Sequence, residues 1–347
     1  MLYLGIDLAS KMTALCLMNA SGEVVREATV PTEEAEFGMF LKNETGYQCV
    51  VEASPLAEWV SGVLEGMGHT ITVIDPRKAK AVIRTKKKTD LLDARNLARM
   101  ARTGWYTAVH RKSPEARLLR SHLKARDGLL RIARATHSQI RGLLRSHGVR
   151  LGAVSETDFP AHVREVTARR VPALSPVLEP LIAAWAQAVE KAKTLKTAIA
   201  ASGKASEVQE RLQSVPGVGP LIAATFVATL DTPSRFRSAS QVAAYLGLVP
   251  RVHQSGETEY HGRVTKEGDG LLRTLLIEGA VVLLTRTRKS CSLKRWGLRL
   301  ARKKGMAKAA VAVARKMAML LFHLWKSGEA FQRDVSDRKG GVALQSA

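Results

Sequence analysis

Leu2-Tyr3-Leu4-Gly5-Ile6-Asp7, then Thr13-Ala14-Leu15-Cys16-Leu17-Met18, then Glu23-Val24-Val25-Arg26-Glu27-Ala28-Thr29-Val30 decide how the first hundred residues fold. The first two runs are almost wholly apolar, and the third alternates with β-branched residues, so all three read as strands. Asn19-Ala20-Ser21-Gly22 has the composition of a tight turn, and links this short join antiparallel neighbours. A helix over residues 33–41 follows, then Tyr47-Gln48-Cys49-Val50-Val51-Glu52 as a buried-type strand. A helix over 56–67 leads to a last strand over Thr70–Ile74.

Three antiparallel strands followed by β-α-β units is the element order of the ribonuclease-H-like fold. A helix carrying Thr89-Asp90-Leu91-Leu92-Asp93-Ala94-Arg95 closes that domain. In this topology the fourth strand lies beside the first, so Asp7 and Glu52 end neighbouring strands. Asp90 and Asp93, three apart on a helix, share one face. Four carboxylates brought that close repel one another unless cations stand between them. An all-oxygen set without Cys or His favours Mg²⁺ or Mn²⁺, and a pair of such ions can clamp the attacking and leaving oxygens of a phosphodiester. The plainer reading of Asp90 and Asp93 is first-turn acids facing the helix dipole, with Lys86, Lys87 and Lys88 as charge partners.

The whole chain is strongly cationic: 54 Lys and Arg against 31 Asp and Glu give +23 over 347 residues. The charge is unevenly placed, with a net of −8 over residues 1–75 and +17 over residues 76–150. A one-signed excess of this size suits a polyanionic partner, whereas a merely solvated helical face would mix its signs. With a 46% hydrophobic fraction the chain can bury real cores and is not a disordered basic tail. Cys16, Cys49 and Cys291 are far apart and read as core thiols of a reducing compartment. The N-terminus runs straight into a strand, with neither a signal peptide nor a membrane-crossing stretch, so a cytoplasmic, nucleoid-associated protein is expected.

From about Pro114 the periodicity becomes helical. Leu119, Leu123, Arg126, Leu130, Ala133, His137, Ile140 and Leu144 alternate spacings of four and three, a heptad seam interrupted by Arg126 and His137. A second run through Leu178, Ile182, Trp185, Val189, Ala192, Leu195 and Ile199 is its antiparallel partner, either within the chain or across a dimer. Val215-Pro216-Gly217-Val218-Gly219-Pro220 before an apolar helix resembles a helix-hairpin-helix turn, in which Gly217 and Gly219 bring backbone N–H groups to a phosphate. Residues 271–284 and 307–324 read as core helices, the intervening 286–304 is dense in Arg and Lys, and residues 335–347 read as a frayed tail. Ser255-Gly256 taken alone is a loop signal, with Arg263 and Lys266 able to hold a phosphate nearby.

Gly-Ile-Asp-Leu-Ala-Ser at 5–10, Val-Glu-Ala-Ser at 51–54, Lys-Thr-Asp-Leu-Leu-Asp-Ala at 88–94 and Val-Pro-Gly-Val-Gly-Pro at 215–220 occur in this order. Tyr-Leu-Gly-Leu-Val-Pro at 245–250 and Gln-Ser-Gly at 254–256 complete the set. Over nearly the whole length these motifs resemble the DEDD insertion-sequence transposases related to the Piv DNA invertase, the bridge-RNA-guided recombinases. The resemblance implies a RuvC-like domain at 1–110, a helical coiled-coil and oligomerisation region at 111–205, and a serine-bearing transposase domain at 206–330, with a tail at 331–347. It places Asp7, Glu52, Asp90 and Asp93 on the metal-site acids and Ser255 on the nucleophile.

The same resemblance implies that Ser255 attacks DNA with Mg²⁺ assistance and keeps the strand as a phosphoserine, at a site that a dimer or tetramer could build between protomers. His253 and His261 are candidate bases. Target and donor DNA would be chosen by a structured non-coding RNA. Arg84, Lys86, Lys87, Lys88, Arg251, Arg263 and Lys266 would then hold nucleic-acid backbones. Three rivals remain: a hydrolytic RuvC-like nuclease or junction resolvase, a sugar-kinase or actin-like ATPase, and a nucleoid-binding protein without activity. The ATPase lacks a second phosphate loop, and the nucleoid protein leaves the four acids unexplained.

Overall fold

The computed structural model describes residues 1–75, 89–204, 206–255, 258–288 and 290–332. The chain divides into two compact units, Met1–Lys112 and Ser113–Ala347.

The first unit runs β1 (Tyr3–Leu8), β2 (Met12–Met18), β3 (Val24–Pro31), α1 (Glu34–Leu41), β4 (Gln48–Glu52), α2 (Ala57–Gly66), β5 (Thr70–Ile74) and α3 (Asp90–Thr103). Its sheet has the order β3-β2-β1-β4-β5. The β1–β2 and β2–β3 pairs are antiparallel, and β4 pairs in parallel with β1 and β5. This is the mixed, ribonuclease-H-like sheet expected from the strand pattern.

Period-two alternation divides the side chains between two faces. Leu4, Ile6, Leu15, Leu17, Cys49 and Val51 pack under α1 and α2 with Phe37, Val60 and Leu64. The opposite face presents Ala14, Cys16, Met18 and Val50 to Ala94, Leu97, Ala98 and Met100 of α3. Contact there is at backbone distance: a Cβ on Gly5 would lie 2.0 Å from the Ala94 carbonyl oxygen and 2.2 Å from the Ala98 nitrogen. The three cysteines are buried free thiols, and burial raises Cys16 to about 11 and Cys49 to about 12, which keeps those two out of thiolate chemistry.

His69 fixes the entry to β4. Its Nδ1 accepts the Tyr47 backbone N–H at 3.2 Å, and its ring stacks on Tyr47 with centroids 4.9 Å apart. Burial holds its pKa below the usual 6.5, so the folded unit prefers the neutral ring that can accept this bond. The unfolded chain takes up the proton first as pH falls, so stability is fully present above about pH 6.5 and declines below it. A melting series from pH 7.5 to 5.5 should therefore show the midpoint of the first unit falling below pH 6.5, and falling less in His69→Gln.

The second unit comprises α4 (Pro114–Ser146), α5 (Phe159–Arg170), α6 (Ser175–Lys204), α7 (Glu207–Gln213), α8 (Pro220–Leu230), α9 (Ala239–Tyr245), β6 (Pro250–Ser255), β7 (Thr258–Val264), α10 (Gly270–Thr285), α11 (Ser292–Lys304) and α12 (Met306–Ser327). Ala133, Ile140 and Leu144 of α4 meet Leu178, Ile182 and Trp185 of α6, while Leu123 meets Ile199 further along. The two heptad runs thus pair within one chain, as an antiparallel helical hairpin. His137, one of the polar interruptions in the seam, lies against Phe159 of α5 with ring centroids 4.3 Å apart. Asp231, just past α8, accepts the Ser113 backbone N–H and hydroxyl, which anchors the start of α4. Phe226 and Leu230 of α8 join Leu272, Leu276 and Leu283 of α10 and Met317 and Leu321 of α12 in the largest core. The expected core helices over 271–284 and 307–324 correspond to α10 and α12. The tail expected over 335–347 lies outside the described residues.

Candidate active site

Asp7 stands near the end of β1 and Glu52 closes β4. Ile6 is in register with Val51 in this parallel pair, so Asp7 and Glu52 are the next residues along at the same end of the sheet. Since Ile6 and Val51 are buried under α1 and α2, strand alternation turns Asp7 and Glu52 to the face that carries α3. Leu91, in the first turn of α3, packs on the patch that includes Ala14, the register partner of Asp7. Met100 and Ala101, near the other end of α3, pack in the cluster with Tyr3. The first turn of α3, with Asp90 and Asp93, therefore lies toward the Asp7 end of β1.

The backbone thus carries all four acids to one end of one sheet face, where Asp7, Glu52 and Asp93 are partly exposed and Asp90 is exposed. Among the described residues no three His, Cys, Asp or Glu side chains are grouped closely enough to hold a metal ion. Carboxylates brought to one place repel one another, and a divalent cation would offset that repulsion. The donor set fits a hard cation, since it consists of carboxylate oxygens alone.

Two contacts fix α3 at this place. The Thr89 hydroxyl caps the helix by accepting the Leu92 N–H at 3.3 Å, which leaves Asp90 and Asp93 free of the capping role. Arg95 makes a two-pronged ion pair with Glu27 on β3 and holds that carboxyl below the usual range. Sequence reading picked out the acids but missed Gly5, Ala94 and Ala98, whose small size sets the helix-to-sheet distance. The signal was there in Gly5 and in two alanines four residues apart.

The candidate serine lies on the β6–β7 hairpin. Ser255 ends β6 and is in register with Thr258, so it stands where the strand meets the hairpin turn that Ser-Gly suggests. The side chains of Ser255, His253 and His261 lie outside the described atoms, as do Arg84, Lys86, Lys87 and Lys88 altogether. The base of the hairpin is closed by Gly247 and Gly268, both at positive φ. A Cβ on Gly247 would lie 2.3 Å from the Glu267 carbonyl oxygen, and one on Gly268 2.0 Å from that of Tyr245. Arg273 of α10 donates to the carbonyls of Leu246 at 3.1 Å and Glu267 at 2.7 Å across the same junction. Arg251, Arg263 and Lys266 are exposed near the base.

Gly217 and Gly219 differ in role. Gly217, at φ +89, sits against α10, and a Cβ there would meet the Gly279 carbonyl oxygen at 2.5 Å. Internal packing therefore accounts for it. Gly219 precedes α8 and faces open space.

A transposase model of the DEDD IS110 type matches residues 4–148, and a model described as the transposase IS116/IS110/IS902 family matches residues 209–296. The chain belongs to the IS110/IS116/IS902 transposase family. The first match spans all four acids and the second spans Ser255. A transposase for insertion sequence element IS1111A from Coxiella burnetii is 29% identical over 95% of this chain and 91% of its own length. A probable family 20 transposase from Pseudomonas aeruginosa is 29% identical over 92% of this chain and 96% of its own. A transposase for insertion sequence element IS1328 from Yersinia enterocolitica is 23% identical over 82% and 86% respectively. As an IS110-family transposase the protein is an enzyme that cuts and joins DNA, and its DEDD domain implies use of a divalent metal. Among the described residues, no helix is long and apolar enough to cross a membrane.

Proposed function

We propose that this transposase moves its insertion sequence by serine-based strand exchange: Ser255 cuts DNA as a nucleophile, and Asp7, Glu52, Asp90 and Asp93 serve the same phosphodiester as its metal site. The observation that supports this most is the delivery of all four acids to one end of one sheet face by strand register and by α3. Mg²⁺, or Mn²⁺ in its place, would be held by the four carboxylates and would supply charge stabilisation for the attacking and leaving oxygens.

The Ser255 hydroxyl oxygen attacks phosphorus, its proton passes to a base, and one deoxyribose oxygen leaves and is protonated. His253 and His261 are the candidate bases. The DNA end is retained as a phosphoserine ester, so a deoxyribose hydroxyl of another strand can displace the serine oxygen without an external energy source. In this reading residues 1–110 act as the RuvC-like domain and 206–330 as the serine-bearing domain with its helix-hairpin-helix-like turn. Residues 111–205, whose heptad seams pair within the chain, act as the oligomerisation region of a dimer or tetramer through their remaining surface. A structured guide RNA selects target and donor, and Arg84, Lys86–Lys88, Gly219, Arg251, Arg263 and Lys266 hold backbones rather than reading bases.

Ser255→Ala separates this mechanism from water-based hydrolysis on the same acids. Incubation with element DNA, transcribed flanking RNA and Mg²⁺, followed by a denaturing gel, should show protein-linked DNA with the wild type only. Cleavage by Ser255→Ala should fall by roughly 10⁴-fold or more, as for loss of a covalent nucleophile. Full cleavage by the variant, with no linked DNA from either protein, would leave the hydrolytic reading in place.

A further inference from the structure

We infer that α11, together with the tip it forms with α12 at Gly305, is a docking face for the backbone of duplex DNA. Residues 279–328 hold 13 Lys and Arg and no Asp or Glu. Leu293 and Gly297 seat α11 on the core, with Gly297 packed so closely that a Cβ would lie 2.6 Å from Val313 and 2.7 Å from Leu284. That anchoring leaves the opposite face to solvent, where Arg299 and Arg302 are exposed with Lys303 at its edge, while Lys304 at the helix end and Lys308 across Gly305 are exposed at the tip.

Cations elsewhere on the protein are commonly neutralised: Arg111 binds Glu58 and Glu65, Arg120 binds Asp269, and Arg164 binds Glu179. Among the described residues none of the five cations of the α11 face and its tip has an acidic partner. Gathering five positive charges without acidic partners on this face and tip costs self-repulsion, which a polyanion relieves. Arg299 to Lys304 cover about 8 Å of α11 before the chain turns at Gly305, and duplex DNA carries one charge per about 1.7 Å of axis over its two strands, so the face meets about four phosphates.

The chemistry favours a duplex over a single strand. Single-stranded nucleic acid is gripped by aromatic platforms, and the one aromatic ring on α11, Trp296, is covered by the Lys316 ammonium 4.3 Å from its centroid. Contact limited to phosphates makes the binding independent of sequence. This inference needs the protein to bind DNA and does not depend on the serine chemistry.

The test is fluorescence anisotropy with the full chain, a 30-base-pair DNA of unrelated sequence and an RNA hairpin, each titrated from 50 to 300 mM KCl. Replacing Arg299, Arg302, Lys303 and Lys304 by Gln should lower the salt slope of DNA binding by about 3 to 4. Arg299→Lys with Arg302→Lys should keep the slope, since a phosphate contact needs only the charge, and circular dichroism verifies the fold of each variant. Replacing the ion-paired Arg164 together with Arg169 by Gln should change it by less than about 1. The inference is overturned if the fourfold Gln variant keeps its DNA slope, if the Arg164 control loses as much, or if only RNA binding weakens.

Discussion

Asp7→Asn is expected to lower DNA cleavage by roughly 10³-fold while leaving DNA affinity within about threefold of wild type. The change keeps the size of the side chain and removes its charge. Asp7 lies on the α3 face of β1, level with Glu52 and toward the first turn of α3, so the lost charge comes out of the set that would bind the cation. DNA affinity rests on Lys and Arg elsewhere, which the substitution leaves intact. Cleavage is measured under single-turnover conditions and affinity by anisotropy in Ca²⁺. A parallel loss of both would mean that Asp7 is a binding or folding residue. Unchanged cleavage would remove the acids from the chemistry.

Gly5→Ala should be the most damaging small substitution in the first unit. Its Cβ would have to occupy space 2.0 Å from one backbone atom of α3 and 2.2 Å from another, and neither can turn aside as a side-chain tip could. Either the helix lifts from the sheet or the sheet bends. Overpacking of this kind costs about 3 kcal/mol at the upper end of its usual range, which lowers the melting midpoint of a unit this size by roughly 10–20 °C. Because the lifted helix carries Asp90 and Asp93, cleavage should fall even at temperatures where the variant remains folded. Gly62→Ala is the matched control: Gly62 lies within α2 with nothing inside 4 Å of its Cβ, so alanine should stabilise by about 1 kcal/mol. A Gly5→Ala protein as stable and active as wild type would refute the close packing of α3 on β1.

Much of this arrangement could be read from the residues because local pattern and tertiary role agree in the first unit. The apolar runs of β1, β2 and β4 are strands buried on two faces, and β3 alternates because it is an edge. The heptads of α4 and α6 gave both helices, and only the structure distinguishes pairing within the chain from pairing across a dimer. The β6–β7 hairpin was hidden, because Arg251-Val252-His253-Gln254-Ser255 has little apolar alternation. What closes its base, Gly247 and Gly268 with Arg273, is a backbone crossing between segments twenty residues apart, which no local pattern reports. In α11 the dense positive charge was plain, while the narrow apolar stripe of Leu293 and Gly297 that makes it a helix was not. For the acids, spacing indicated which residues share a face, whereas their common end follows from register and from the direction of α3.

Iron-directed cleavage of the polypeptide tests the four-carboxylate centre without relying on enzyme activity. Fe²⁺ with ascorbate and peroxide, loaded in place of Mg²⁺, generates hydroxyl radicals that cut the chain near the bound ion. Fragments mapped by mass spectrometry should end within residues 5–9, 50–54 and 88–95, fade as Mg²⁺ is added, and vanish in Asp7→Asn. Cuts clustered elsewhere, or an unchanged pattern in Asp7→Asn, would contradict a shared metal site for Asp7, Glu52, Asp90 and Asp93.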